Sequence, residues 1–171
     1  MKDNLLFSLV LVCLMMTCEK PRQTSTPLLT KSGSIESIRQ VKLVDLDGRP
    51  INWDKYKNKV VFINFWATWC GPCIKEMPSI EKVKETFSND DIIFLLATEE
   101  SENKINTFRE KYDFDLLYVR QQTLLNELDI VGLPTTIIFD KKGEIAFRET
   151  NMRIWNSDES IKILREVIQR P

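Results

Sequence analysis

The stretch Val60-Val61-Phe62-Ile63-Asn64-Phe65-Trp66-Ala67-Thr68-Trp69-Cys70-Gly71-Pro72-Cys73-Ile74-Lys75-Glu76-Met77-Pro78 decides the fold. Val60 to Trp66 is a near-continuous β-branched and aromatic run, the pattern of a central strand buried on both faces. The period then changes. Ile74, Met77, Ile80, Val83 and Phe87 fall on one broad helical face. Pro72 is tolerated in the first turn of that helix, where its missing N–H would be unpaired anyway. Pro78 lies inside the helix and is expected to kink it. A strand running directly into a helix places Cys70 at the helix N-terminus, where unpaired N–H groups and the macrodipole favour an anion. The thiolate is the reacting form of cysteine, so this position is expected to lower the Cys70 pKa. Cys73 follows one turn later on the same face and is expected to be the more buried. That asymmetry gives a reaction: Cys70 attacks a disulfide, a mixed disulfide forms, and Cys73 resolves it.

The other uses of a Cys-x-x-Cys pair fare worse. The chain has no His and only four cysteines, Cys13, Cys18, Cys70 and Cys73. A zinc site needs two more ligands than the pair supplies, and a pair this close cannot staple a fold. No metal and no cofactor beyond the redox-active Cys70–Cys73 disulfide is expected. The absence of His also removes Cys–His and Ser–His catalysis. The chain has 171 residues with a net charge of −1 at pH 7 and no basic block, which argues against nucleic acid as a partner.

Working outward, Val41 to Leu46 alternates like a half-buried strand before the Asp47-Gly48 turn, and Ile51 to Tyr56 reads as an edge segment with a short helical turn. Asp91 to Ala97 is a second buried strand and Glu102 to Tyr112 a helix. Leu116 to Val119 is a short strand, Leu124 to Leu128 a short helix and Thr135 to Phe139 another strand. Asp140 to Gly143 makes a hairpin turn into Glu144 to Arg148. Ser157 is the N-cap of a last helix with Asp158 and Glu159 in its first turn and Ile161, Leu164 and Ile168 as its buried stripe. The order gives parallel pairing early and antiparallel pairing late: an α/β fold, a mixed central sheet with helices on both faces and an N-terminal β extension.

The N-terminus reads as an export signal. Lys2 supplies the positive start and Leu5 to Thr17 is almost wholly apolar, shorter than the roughly 20 residues that span a bilayer. Residues 1–17 are the expected signal, 18–35 a tether rich in Pro, Thr, Ser and charge, and 36–171 the folded domain. Leu14-Met15-Met16-Thr17-Cys18 resembles the lipobox of bacterial lipoproteins, although Met16 and Thr17 are bulkier than the small residues usual there. That resemblance implies lipidation of Cys18. Ordinary cleavage with Cys18 free, or an uncleaved anchor, are the alternatives.

Phe65 to Cys73 strongly resembles the thioredoxin active-site segment, Pro78 matches its kink proline, and Val131-Gly132-Leu133-Pro134-Thr135 resembles the cis-proline loop of that fold. Gly48-Arg49-Pro50-Ile51, Lys59 to Trp66 and the insertion between residues 98 and 130 fit the exported, membrane-tethered branch, the TlpA and ResA-like thiol–disulfide reductases. The resemblance implies a thioredoxin fold and a cis Pro134 against the cysteine pair. It implies that Trp69, Gly71, Pro72 and Leu133 contact substrate, the Leu133 backbone pairing with a bound peptide. Thioredoxin carries a buried Asp six residues before its first cysteine. Here that position is Asn64, which cannot titrate. Glu76 is the alternative proton partner for Cys73 if it is partly buried. The competing reading is an exposed glutamate paired with Lys75. Lys75 itself and Trp66 read as a solvated lysine and a packed aromatic.

Function follows as an expectation: a monomeric, periplasmic or extracytoplasmic lipoprotein that reduces protein disulfides, drawing electrons from a membrane thiol donor. Apocytochrome c is one substrate the family implies, through cytochrome c biogenesis. A disulfide oxidase or isomerase is the alternative. A peroxidase is less favoured, because the peroxiredoxin pattern Pro-x-x-x-Thr/Ser-x-x-Cys is absent, with Ile63 at the proline position.

Overall fold

The strand that opened the sequence reading is the middle of the sheet. In this computed structural model, which describes residues 35–170, strand β2 (Val60–Phe65) is buried along its whole length. It pairs in parallel with β3 (Ile92–Thr98) and antiparallel with β5 (Thr135–Phe139). Beyond β3 lies β4 (Leu117–Gln121), parallel, then β1 (Leu43–Val44), antiparallel. Beyond β5 lies β6 (Ile145–Thr150), antiparallel. The sheet order is β1-β4-β3-β2-β5-β6. The expected signal, the Cys18 lipidation site and the tether up to residue 34 lie outside the described residues. Ile35, expected as the last tether residue, is buried in the core.

Side-chain alternation along the strands divides the core into two layers. One contains Val60, Phe62, Phe94, Leu96, Tyr118 and Ile138. Helices α1 (Gly71–Thr86), α2 (Glu102–Lys111) and α3 (Asp158–Ile168) all contribute to it. The other contains Val61, Ile63, Phe65, Leu95, Ala97, Ile137 and Phe139 under Ile35, Ile38, Val41 and Leu128. Helical elements therefore lie on both faces, but unequally. The α-helices share one face, and 3-10 turns with the N-terminal segment cover the other. Topology explains the first half. The chain steps from β2 to β3 to β4 in one direction, and right-handed crossovers in one direction put α1 and α2 on the same side.

Several expected boundaries shift. β1 is two residues long, because Asp45 accepts hydrogen bonds from the Arg49 backbone N–H and Nε (both 2.8 Å) and turns the chain back through Gly48 (φ 82°). β4 runs on to Gln121, whose side chain is buried and donates to Glu99 (3.2 Å). The last helix starts where expected, with the Ser157 hydroxyl accepting from the Ser160 N–H (3.3 Å). Its buried stripe is Ser160, Leu164 and Val167, with Ile161 and Ile168 only partly covered, so the expected stripe is rotated by about one residue. The hydroxyl of Ser160 is what permits a polar residue there: it donates to the Ile154 carbonyl (2.9 Å).

Candidate active site

β2 ends at Phe65, and the turn that follows delivers Cys70 to the start of α1. Cys70 is the N-cap: its backbone is extended and its Sγ accepts from the Cys73 N–H at 3.3 Å. The helix N-terminus thus points at this sulfur, as the strand-to-helix junction predicts. Cys70 and Cys73 are joined as a disulfide with Cα atoms 5.3 Å apart. Cys73 is fully buried and Cys70 is 4% exposed, so the expected order of burial holds. Gly71 and Pro72 are exposed beside the pair.

The turn before Cys70 is held by a residue that sequence reasoning missed. The Glu100 carboxylate accepts from the Thr68 backbone N–H (2.5 Å) and the Thr68 hydroxyl (2.9 Å), and Lys104 pairs with it at 3.3 Å. The signal was available: residues 99–100 follow β3, whose last residues adjoin the end of β2. Thr68 so fixed, Trp69 projects outward and is 74% exposed. Trp66 is buried against Phe108 and Tyr118, with ring centroids 4.7 and 5.5 Å away, the packing role expected of it.

The Leu133–Pro134 peptide is cis. Thr135 pairs with Phe65, which sets Pro134 level with the turn that leads to Cys70. Leu133 packs against the core layer that includes both cysteines, and with Trp69, Ala67, Glu99 and Leu125 it lines a small hollow beside the pair.

Glu76 is the residue whose environment the sequence left open. It is 2% exposed, so the surface-pair reading is excluded, while Lys75 is exposed as expected. The Glu76 carboxyl accepts from Asn64 Nδ2 (2.6 Å) and from the Arg153 backbone N–H (3.0 Å). Asn64 is positioned in turn by donating to the Thr136 hydroxyl (3.0 Å) on β5. Burial pushes the Glu76 pKa up to about 7, against the opposing pull of the Arg153 N–H, Asn64 and the Trp155 indole N–H, which lies near the carboxyl without an aligned hydrogen bond. Glu76 thus sits one helical turn beyond Cys73, buried and with its pKa raised to about 7. Among the described residues, no group of His, Cys, Asp and Glu side chains is arranged to hold a metal ion.

A sheet of this order, with a Cys-x-x-Cys disulfide after its central strand and a cis-proline at the start of the strand beside it, defines a thioredoxin-type protein. Residues 31–165 match the Redoxin family, and the chain belongs to it. A thiol–disulfide oxidoreductase ResA of Geobacillus thermodenitrificans is 36% identical over 107 residues, 60% of this chain and 61% of that one. The chain thus spans about three fifths of that relative's length. A ResA of Bacillus thuringiensis subsp. konkukian is 28% identical over 85% of this chain and 87% of its own. In structure, a thiol:disulfide interchange protein of the thioredoxin family from Chlorobium tepidum superposes with a TM-score of 0.63 over 81% of this chain and 97% of its own. At 22% identity that likeness speaks for the fold alone.

Proposed function

We propose that this chain is a thiol–disulfide oxidoreductase that reduces protein disulfides outside the cytoplasm. The observation that carries the reading is the Cys70–Cys73 disulfide at the α1 N-terminus, backed by a buried carboxyl one turn further on. The relatives named thiol–disulfide oxidoreductase support the class of reaction. The export signal and the Cys18 motif in the sequence support the compartment and a lipid anchor.

In the reduced protein, the Cys70 thiolate attacks one sulfur of a substrate disulfide. That S–S bond breaks, the Cys70–substrate bond forms, and the other substrate sulfur leaves as a thiolate and takes a proton. Cys73 then gives its proton to the Glu76 carboxylate and attacks the Cys70 sulfur. The mixed disulfide breaks, the Cys70–Cys73 bond forms, and the second substrate sulfur leaves as a thiolate and takes a proton. The substrate has gained two electrons and the protein has lost them. A dithiol donor in the membrane reverses this and regenerates the pair. Trp69, Gly71, Pro72 and Leu133 form the surface over which the substrate approaches, next to cis Pro134. The protein works as a monomer.

Two measurements test this. Cys73→Ala leaves Cys70 able to attack and nothing to resolve, so it accumulates a mixed disulfide with the substrate, and Cys70→Ser accumulates none. Equilibration of the wild-type pair against a dithiothreitol buffer places it near the thioredoxin value of about −270 mV. A value near about −120 mV overturns the reductive direction in favour of an oxidase.

A further inference from the structure

Arg153 stands 77 residues from Glu76 in sequence, yet its backbone N–H is one of two hydrogen-bond donors to the buried carboxyl. The hydrogen bond is only as fixed as the loop that carries it, and that loop is held by the Arg153 side chain. The guanidinium Nε donates to Ser160 Oγ (2.8 Å) on α3. Its two terminal nitrogens pair with Glu149 of β6 (3.4 Å) and Glu159 of α3 (2.9 Å). The guanidinium carbon lies 5.6 Å from the Phe147 ring centroid and 5.8 Å from that of Trp155. The Arg153 side chain is only 17% exposed, so its contacts with Ser160, Phe147 and Trp155 are sheltered, while the Glu159 end of its ion pair is open to solvent. Ser79 of α1 closes the arrangement by accepting from the Trp155 N–H (3.0 Å) and donating to the Glu76 carbonyl (2.7 Å).

We propose that Arg153 is a positioning residue for the proton step: its side chain clamps the loop after β6 so that its backbone N–H and the Trp155 ring seal Glu76 from water. This rests on the reading of Glu76 as the proton partner of Cys73. The charged and titratable groups around Glu76 are few. Cys73 precedes it on α1. Arg153 faces it from the loop, with Glu149 of β6 and Glu159 of α3 beyond. β2 and β5 contribute only Asn64 and Thr136, which do not titrate. The guanidinium is turned toward the two glutamates, so its effect on Glu76 passes through the loop and not through direct charge pairing. Burial is the largest influence on Glu76 and the Arg153 N–H the next, with opposite signs. A loop loose enough to lose the hydrogen bond also admits water, and the larger influence decides the direction.

The test is Arg153→Met in the full chain, which keeps the aliphatic stem and removes the clamp, with Arg153→Lys beside it. The Glu76 carboxyl is followed directly by carbon-detected NMR titration. The expected result is a midpoint about one pH unit lower in Arg153→Met and partial recovery in Arg153→Lys. The rate of mixed-disulfide resolution moves its inflection by the same amount. A Glu76 midpoint unchanged in folded Arg153→Met overturns the proposal, whatever happens to stability. If the midpoint moves but Glu76→Gln resolves mixed disulfides at the wild-type rate and pH profile, the positioning stands and the catalytic reading of Glu76 fails. If Arg153→Met does not fold, Arg153→Gln, which removes the charge and keeps a polar head, takes its place: a Glu76 midpoint unchanged in that folded variant overturns the proposal.

Discussion

At Glu76 the environment of a single residue sets the chemistry available to the proposed proton step. A group with a pKa of about 7 is about half charged at neutral pH, so it is present in both the accepting and the donating form. Glu76→Gln keeps the shape and can still accept from either Asn64 or the Arg153 N–H, but not from both, and it cannot take up a proton. The resolving step is expected to slow by about 100-fold, the lower end of what a positioned acid–base group supplies, and to lose its inflection near pH 7. Stopped-flow measurement of mixed-disulfide collapse checks this, with the first attack by Cys70 as the internal control. Trp69 makes the opposite kind of prediction. An aromatic ring 74% exposed beside a disulfide has no packing role to lose. Trp69→Ala is expected to raise KM for a protein disulfide by about tenfold, in the range of a lost aromatic anchor. Exchange with dithiothreitol, too small to touch the ring, stays at the wild-type rate.

At the scale of elements, the hairpin between β5 and β6 is held by a position that tolerates only glycine. Gly143 has φ 81°, its N–H donates to the Asp140 carbonyl (2.9 Å), and a Cβ there would lie 2.9 Å from the Ile38 side chain. Gly143→Ala combines left-handed backbone strain of about 1–2 kcal/mol with that overlap. It is expected to lower the urea midpoint and detach the N-terminal segment at Ile38, while the disulfide exchange rate is unchanged. The turn joins the end of β5 opposite to Pro134, which makes the second outcome a real check. Glycine in this turn was legible in the sequence, as were β2, β5 and the helix after Cys70, because short length and β-branched or aromatic enrichment mark the apolar runs as strands, and a change of period marks the helix. The shortness of β1 was not, because it depends on what the Asp45 side chain bonds. Glu76 is the instructive case. It lies between Cys73 and Met77 at the border of the apolar face, so helical spacing alone allowed either a buried carboxyl or a surface pair with Lys75, and the structure buries it. What spacing cannot supply is the partner that makes burial of a carboxyl tolerable. Asn64 and Arg153 come from two other segments, and only the fold brings them together.

For the whole molecule, a carboxyl buried between α1, the sheet and the loop after β6 lowers stability by an amount that depends on pH. Unfolded, Glu76 titrates at its ordinary value of 4.5, and folded, at about 7. Between those values the folded state holds a proton that the unfolded state has released, so stability falls as pH rises. Below pH 4.5 both states are protonated and nothing is lost. Above pH 7 both are charged and the loss is complete. A shift of this size corresponds to a loss on the order of 3 kcal/mol, a substantial part of the 5–15 kcal/mol of an ordinary domain. The core around it is continuous. Val60, Phe62, Cys73, Met77, Trp155 and Leu164 belong to one buried layer, so the cost falls on global unfolding and not on a local fray. Glu76→Gln is neutral at every pH and escapes it. Urea unfolding of the oxidised protein is therefore expected to show a stability difference between variant and wild type that is constant below pH 4.5 and moves in the variant's favour through the interval up to pH 7. Between pH 4.5 and pH 8 that difference shifts by on the order of 3 kcal/mol. A stability difference that does not change between pH 4.5 and pH 8 would mean that Glu76 is hydrated in the folded protein and does not reach the pKa that burial gives it.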